Sequence, residues 1–405
     1  MNIFKAAYCR AFQQGFRIMY PFFPYREPEE LRSCEDIPRK LKELGISSAL
    51  LVTNESLRSL GVTTSLEQMM AQDGMRCAIF DRTPGNPSID DVEAAYARYR
   101  EDGCGAVIGF GGGSCIDCAK AVAARATFPN RSVRQLAGNL KFWRKLVPIF
   151  AVPTTAGTGS EATLAAVLVD GESKRKFTIN AFPLIPHYAV LDPRNTVSLP
   201  PFFTATTGMD ALTHAVEAYI GQSTTRQTRA WSVEAVKLVH RYLKRAYDNG
   251  SDLEARQAML RASYVAGMSF TRSYVGYCHA VAHSLGGRYD TPHGLANSVL
   301  LPYVLRAYGK SVYRRLKELA IVIGLADERT PEAFASESFI RWIEAMNENM
   351  GIPRYLSNIR PEDIESLSRF ADHEGNPLYP VPRLLDRRDL QRFYAVVSEN
   401  SSVNG

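Results

Sequence analysis

Two short stretches of this chain carry most of its histidine, at the spacing of metal ligands. Asp210 and His214 stand four apart in GMDALTHAVEAY, residues 208–219. On a helix such a pair shares one face, so both side chains can reach one ion. His279 and His283 repeat that spacing in YCHAVAHSLGGRYDTPHG, and His293 follows across a short loop. A lone histidine on an apolar helix face is usually a satisfied core residue. Four of the chain's seven histidines in two such segments, with an aspartate one turn from the first, point to a divalent metal site. Imidazole and carboxylate suit Fe(II) and Zn(II) alike. A position not used by the ion could carry a proton, because imidazole titrates near neutrality.

Two glycine-rich turns suggest an anionic cofactor. Gly109-Phe110-Gly111-Gly112-Gly113-Ser114 follows a strand pattern and opens a helix pattern. Glycines let backbone amides approach a diphosphate, and the helix N-terminus stabilises its charge. The run is not the common dinucleotide fingerprint, so alone it reads equally well as a tight turn. Pro153-Thr154-Thr155-Ala156-Gly157-Thr158-Gly159-Ser160-Glu161 also follows a strand. Its four hydroxyls suit phosphate and ribose oxygens better than they suit helix capping alone.

The elements that must position these residues divide the chain. Ala49–Thr53, Cys77–Asp81, Gly105–Phe110, Val147–Pro153, Ala166–Asp170 and Tyr188–Asp192 read as strands. Ser88–Glu101 and Ser114–Ala126 between them have helical periodicity. Such alternation implies a parallel, doubly wound sheet. After Leu199-Pro200-Pro201 the strand signals fade and long helices follow, at Asp210–Ile220, Ala230–Asn249, Leu253–Ser269, Val312–Ile323 and Glu332–Met350. We therefore expect an α/β nucleotide-binding domain over residues 1–200, with an aromatic extension over 1–30, and an all-α metal-binding domain over 201–405. A cleft between two such domains is a common place for a small-molecule site.

Composition excludes several classes. The net charge of +6 over 405 residues comes with no basic run, so nucleic acid is not an expected partner. No apolar stretch is long enough to span a bilayer. Seven scattered cysteines, Cys115-x-x-Cys118 among them, suggest free thiols in a reducing cytoplasm. Met1–Arg26 contains no acid, and Phe4, Tyr8, Phe12 and Phe16 recur at helical spacing. This composition also fits a targeting segment or a lipid-surface helix. We expect instead that the stripe packs on the body or on a second subunit, which makes a homodimer reasonable.

GGGSCIDCAK (111–120), PTTAGTGSE (153–161), GMDALTHAVEAY (208–219) and HAVAHSLGGRYDTPHGLANSVLLP (279–302) together resemble the iron-containing, or group III, alcohol dehydrogenases. The resemblance runs from about residue 40 to residue 305, with the motifs in order. It implies a dehydroquinate-synthase-like fold and hydride transfer between NAD or NADP and an alcohol or aldehyde. It implies that Asp210, His214, His279 and His293 hold the metal, with His283 near the reacting centre. Gly112, Gly113 and Ser114 would hold the diphosphate. Asn86 matches a cofactor-contacting asparagine, and Thr154, Thr155, Thr158, Thr163 and Lys176 match positions lining ribose and nicotinamide.

Two departures from the family pattern bear on specificity. Val52-Thr53-Asn54 stands where the family usually has Val-Thr-Asp. Asn54 does not repel a 2′-phosphate, so NADPH is expected to be tolerated. Arg272 and Arg288 stand where the family is more apolar, and either one facing the pocket would favour an anionic substrate. Three rivals are weighed against this reading: a hydroxyacid–oxoacid transhydrogenase, a sugar-phosphate cyclase on the same fold, and a non-catalytic relative.

Overall fold

The computed structural model describes residues 1–19, 22–171 and 175–398. It divides into two compact units: Pro24–Leu199, and Pro200–Gly405 together with Met1–Phe23. Residues 399–405 of the expected helical domain lie outside the described residues.

The first unit carries strands β1 (Glu29–Leu31), β2 (Ser48–Val52), β3 (Arg76–Phe80), β4 (Ala106–Gly111), β5 (Gly138–Asn139), β6 (Ile149–Pro153), β7 (Ala165–Asp170), β8 (Arg175–Asn180) and β9 (Tyr188–Val190). Six of them form a wholly parallel sheet in the order β1-β9-β6-β4-β2-β3. Every residue of β2, β4 and β6 is buried, as expected of a sheet covered on both faces. The strand period of two sorts the side chains. Leu50, Val52 and Val107 join Val92 and Val122 from helices Ile89–Glu101 and Gly113–Thr127. Ala49, Leu51 and Ile108 face Ile37, Leu41 and Met70 from helices Asp36–Glu43 and Thr64–Gln72. β7 and β8 form an antiparallel hairpin, which β5 extends into a separate three-stranded sheet.

The second unit is helical. Helix Pro201–Ile220 is buried along nearly its whole length and packs against helices Arg226–Asp248, Leu253–Ser273 and His293–Tyr308. An apolar surface on every side makes it the central helix of the unit.

The units part between Leu199 and Pro200, and the N-terminal extension groups with the helical unit, not with the α/β unit. Helix Ile3–Met19 groups with the helical unit because its polar groups bind there. The terminal amine meets Asp386 at 2.5 Å and Lys5 meets Asp372 at 2.7 Å. Gln13 Nε2 donates to the Tyr379 carbonyl at 2.7 Å. The aromatic stripe does not pack on the body: Phe4 is 80% exposed and Tyr8 60%. The side chain of Phe16 lies outside the described residues.

Candidate functional site

Helix Pro201–Ile220 presents Asp210, His214 and Glu217 on one face, at positions i, i+4 and i+7. Helix Tyr277–Tyr289 contributes His279, and helix His293–Tyr308 begins at His293. These elements bring one ligand atom each from Asp210, His214, His279 and His293 to within 4.8 Å of one another. His279 Nε2 lies 3.9 Å from Asp210 Oδ1, and His293 Nε2 lies 3.6 Å from the same oxygen. The His214 ring stacks on Phe270 at 4.2 Å and on His279 at 4.4 Å, so packing fixes its plane. Asp210, His214 and His279 are almost wholly buried.

The donor set fits a divalent ion. His279 Nε2 is buried without a hydrogen bond while facing the Asp210 carboxylate. A buried polar atom left unmatched costs free energy unless something fills the gap. Burial and the neighbouring imidazoles push the His279 ring well below its ordinary pKa, so it is neutral and able to ligate. Three imidazoles and one carboxylate are a donor set that suits Fe(II) and Zn(II).

Sequence reasoning missed three residues: Glu217 and Asn297, which hold members of this cluster, and Glu374, which holds His283. Glu217 accepts from His279 Nδ1 at 2.6 Å, which directs Nε2 into the cluster. The same carboxylate accepts from the Gly276 and Cys278 amides at 2.8 and 2.9 Å. Gly276 permits this approach, since a Cβ there would lie 2.6 Å from Glu217 Oε1. Burial pushes the Glu217 carboxyl up to about 7, against the lowering effect of those amide bonds. Asn297 donates to Asp210 Oδ1 at 2.7 Å and lies 3.1 Å from His293 Nε2. Glu374 pairs with His283 Nδ1 at 2.6 Å and accepts from the Tyr379 hydroxyl. Burial opposes ionisation of Glu374, yet His283 and Tyr379 hold its carboxyl below the usual range. The signals were available for two of the three: Glu217 lies seven residues after Asp210, and Asn297 lies four after His293. Glu374 is distant in sequence and carried none. His283 stands outside the tetrad, stacked on His293 at 5.1 Å.

In the α/β unit, β2 has β3 on one side and β4 on the other, so the strand order reverses between β2 and β4. Ligands of doubly wound sheets bind at the carboxyl ends of strands flanking such a point. The β2 end carries Asn54 and the β4 end carries Gly111–Gly113. Gly111 has φ +151°, and a Cβ there would lie 2.6 Å from Cys115 Sγ, so glycine is required. Gly112 caps helix Gly113–Thr127. Gly112 lies against Thr155, and Gly113 against Thr158. Ser114 Oγ donates to the Gly85 carbonyl at 2.5 Å, which ties the turn carrying exposed Asn86 to the glycine loop. Thr154 N donates to Gly111 O, locking the two loops together.

Other expected residues have internal roles. Asn54 Oδ1 accepts from the Leu57 amide and caps helix Glu55–Ser59, while its Nδ2 lies 3.7 Å from Cys115 Sγ. Thr163 is buried and accepts from Lys120 Nζ at 2.9 Å. Lys120, itself fully buried, also donates to Ser160 Oγ and the Ala165 carbonyl, so it anchors the hydroxyl-rich loop to helix Gly113–Thr127. Lys176 is exposed on β8, in the separate sheet. Cys115 and Cys118 are buried free thiols. Arg272 and Arg288, either of which would favour an anionic substrate if it faced the pocket, both make contacts within the protein. Arg288 pairs with Asp363 at 2.8 Å, and Arg272 lies over the Trp231 ring.

Two family models match the chain almost end to end. Residues 30–193 match the iron-containing alcohol dehydrogenase model, and residues 204–397 match the C-terminal model of the Fe-containing alcohol dehydrogenase family. The chain belongs to the iron-containing alcohol dehydrogenase family. This iron-containing alcohol dehydrogenase is 38% identical to the 1,3-propanediol dehydrogenase of Klebsiella pneumoniae, over 87% of this chain and 91% of the relative. It is 35% identical to the NAD-dependent methanol dehydrogenase of Bacillus methanolicus, over 84% and 89% of the two chains. A solved 1,3-propanediol oxidoreductase superposes with a TM-score of 0.87 at 34% identity, covering 92% of this chain and 98% of that one. The protein is thus an enzyme, a metal-dependent oxidoreductase of the nicotinamide-linked alcohol dehydrogenase type. No helix among the described residues is long and apolar enough to cross a membrane.

Proposed function

We propose that Asp210, His214, His279 and His293 hold one Fe(II), and that the enzyme interconverts a small uncharged alcohol and its aldehyde with NAD(H) or NADP(H). The convergence of three imidazoles and one carboxylate around the unmatched His279 Nε2 carries this reading. When bound, the ion supplies Lewis acidity toward the substrate oxygen and the nicotinamide supplies the hydride acceptor or donor. Glu217 fixes the His279 tautomer, and Asn297 orients Asp210. Glu374 holds His283 Nδ1, which assigns His283 Nε2 to carry the proton. Gly112, Gly113 and Ser114 receive the diphosphate at the helix N-terminus, with Asn86, Thr154, Thr155, Thr158 and Lys176 assigned to the rest of the cofactor. Thr163 and Asn54 act from behind, through Lys120 and the helix cap.

The engaged state of Arg272 and Arg288 supports an uncharged substrate over a carboxylate or phosphate. Asn54 places no carboxylate where a 2′-phosphate would sit, which supports use of both cofactors. Seven free cysteines support a reducing, cytoplasmic setting. The test is a panel of neutral and acidic aldehydes with the iron-loaded enzyme, followed by nicotinamide absorbance. Steady oxidation of NADH or NADPH by neutral aldehydes is expected. Turnover without net nicotinamide change would contradict the proposal.

A further inference from the structure

Helix Ile3–Met19 is amphipathic in the inverted sense. A surface helix normally buries its apolar face and shows its polar face to water. Here the polar side turns inward. Besides the ion pairs of the terminal amine and Lys5, Arg10 donates to the Val381 carbonyl at 2.7 Å, and Gln13 is buried beneath the helix. At 3.6 residues per turn the opposite half carries Ile3, Phe4, Tyr8, Phe12, Ile18 and Met19. Ile3 is 77% exposed and Ile18 68%, and Phe22 just beyond the helix is 80% exposed. With side chains of about 150–250 Å² each, these residues show on the order of 700 Å² of apolar surface. That exceeds the largest patch of a typical monomer, roughly 300–600 Å².

The chemistry of the face selects its occupant. The Tyr8 hydroxyl and the Gln14 amide are its hydrogen-bonding side chains, whereas protein partners share about one hydrogen bond per 100–200 Å² and a polar rim. A bilayer surface asks for an apolar, aromatic wedge bordered by cations. No acidic residue occurs before Glu27. Lys5 is paired with Asp372, so exposed Arg17 supplies the positive charge beside the apolar face. We propose that this face docks on an anionic lipid bilayer and holds the enzyme at the membrane surface without a spanning segment. The body fixes the helix so that Phe4, Tyr8, Phe12 and Ile18 enter the acyl boundary while Arg17 meets the headgroups.

The test is flotation of the full-length, iron-loaded enzyme with vesicles rich in phosphatidylglycerol and with vesicles of phosphatidylcholine alone. Binding to the anionic vesicles is expected. Phe4→Ser combined with Ile18→Ser should weaken it at least about tenfold, given the apolar area withdrawn, and should leave alcohol turnover unchanged. Arg17→Glu should weaken binding to the anionic vesicles without altering the apolar face. Failure of the wild type to float with either vesicle overturns the proposal. So does a lipid-free light-scattering mass that falls by half in the Phe4→Ser/Ile18→Ser variant, because the face would then join two copies of the chain.

Discussion

Replacing Glu217 with glutamine separates support of the metal from support of the fold. The carboxylate uses Oε2 for His279 Nδ1 and the Gly276 amide, and Oε1 for the Cys278 amide. Glutamine has nearly the same shape but only one acceptor oxygen. With that oxygen toward His279, the side-chain NH2 faces the Cys278 amide and leaves a buried donor unmatched. The loss is about 1–3 kcal/mol for that donor, offset by relief of a buried charge whose carboxyl is already pushed up to about 7. The metal-free protein should therefore change little in stability. The effect on the ion differs, because a neutral amide makes His279 a weaker base and holds its ring less firmly. Such supporting residues typically change metal affinity by about 10–100-fold. That corresponds to about 1.4–2.8 kcal/mol. The assay is competition between the reloaded protein and a chromogenic chelator, alongside thermal unfolding of the metal-free form. Affinity within about twofold of wild type would refute the assigned role of Glu217.

Three further outcomes are expected. Lys120→Met removes the amine that joins helix Gly113–Thr127 to Ser160, Thr163 and Ala165 and leaves Asp117 buried without its charge partner. It should destabilise the protein by about 3–5 kcal/mol in urea unfolding, and a loss under 1 kcal/mol would contradict its anchoring role. Asn54→Asp keeps the helix cap but adds a negative charge, so the NADPH:NADH ratio of kcat/KM should fall at least about tenfold. An unchanged ratio would place the 2′-phosphate elsewhere. Burial pushes His187 down to about 3, and Arg26 and Lys145 add to the shift. Its unfolded value is about 6.5, so its stability contribution is complete above that pH and is lost as pH falls toward 3. His187→Gln should flatten wild-type stability against pH in that window, by at most about 1.4 kcal/mol per pH unit. Parallel profiles would show that His187 is not the titrating group.

Much of the fold was legible because local chemistry and global structure agree. The buried runs at Ala49–Thr53, Gly105–Phe110 and Val147–Pro153 are strands within one or two residues of expectation, since a sheet covered on both faces needs continuous apolar segments. β1 and β8 were not legible. Glu29–Leu31 is a short, polar edge strand, and Arg175–Asn180 owes its pairing to β7. The convergence of Asp210, His214, His279 and His293 was legible because two of them share a helix at four-residue spacing. The supporting residues were less so: Glu374 reaches His283 across ninety-one positions. Residue type alone left open where Arg272 and Arg288 point, because it could not reveal their contacts with Trp231 and Asp363. The N-terminal stripe was legible as a helix, but its sequence left open whether its apolar side packs on the body or on a second subunit. The Gln13, Arg10 and Lys5 contacts turn it outward.

Metal content of the purified protein, measured per chain for wild type and for Asp210→Ala and His279→Ala variants, tests the account most directly. One divalent ion per wild-type chain is predicted, with both variants losing the ion and the nicotinamide-linked turnover together. An ion retained at full occupancy in both variants, or full turnover in protein stripped of metal, would contradict it.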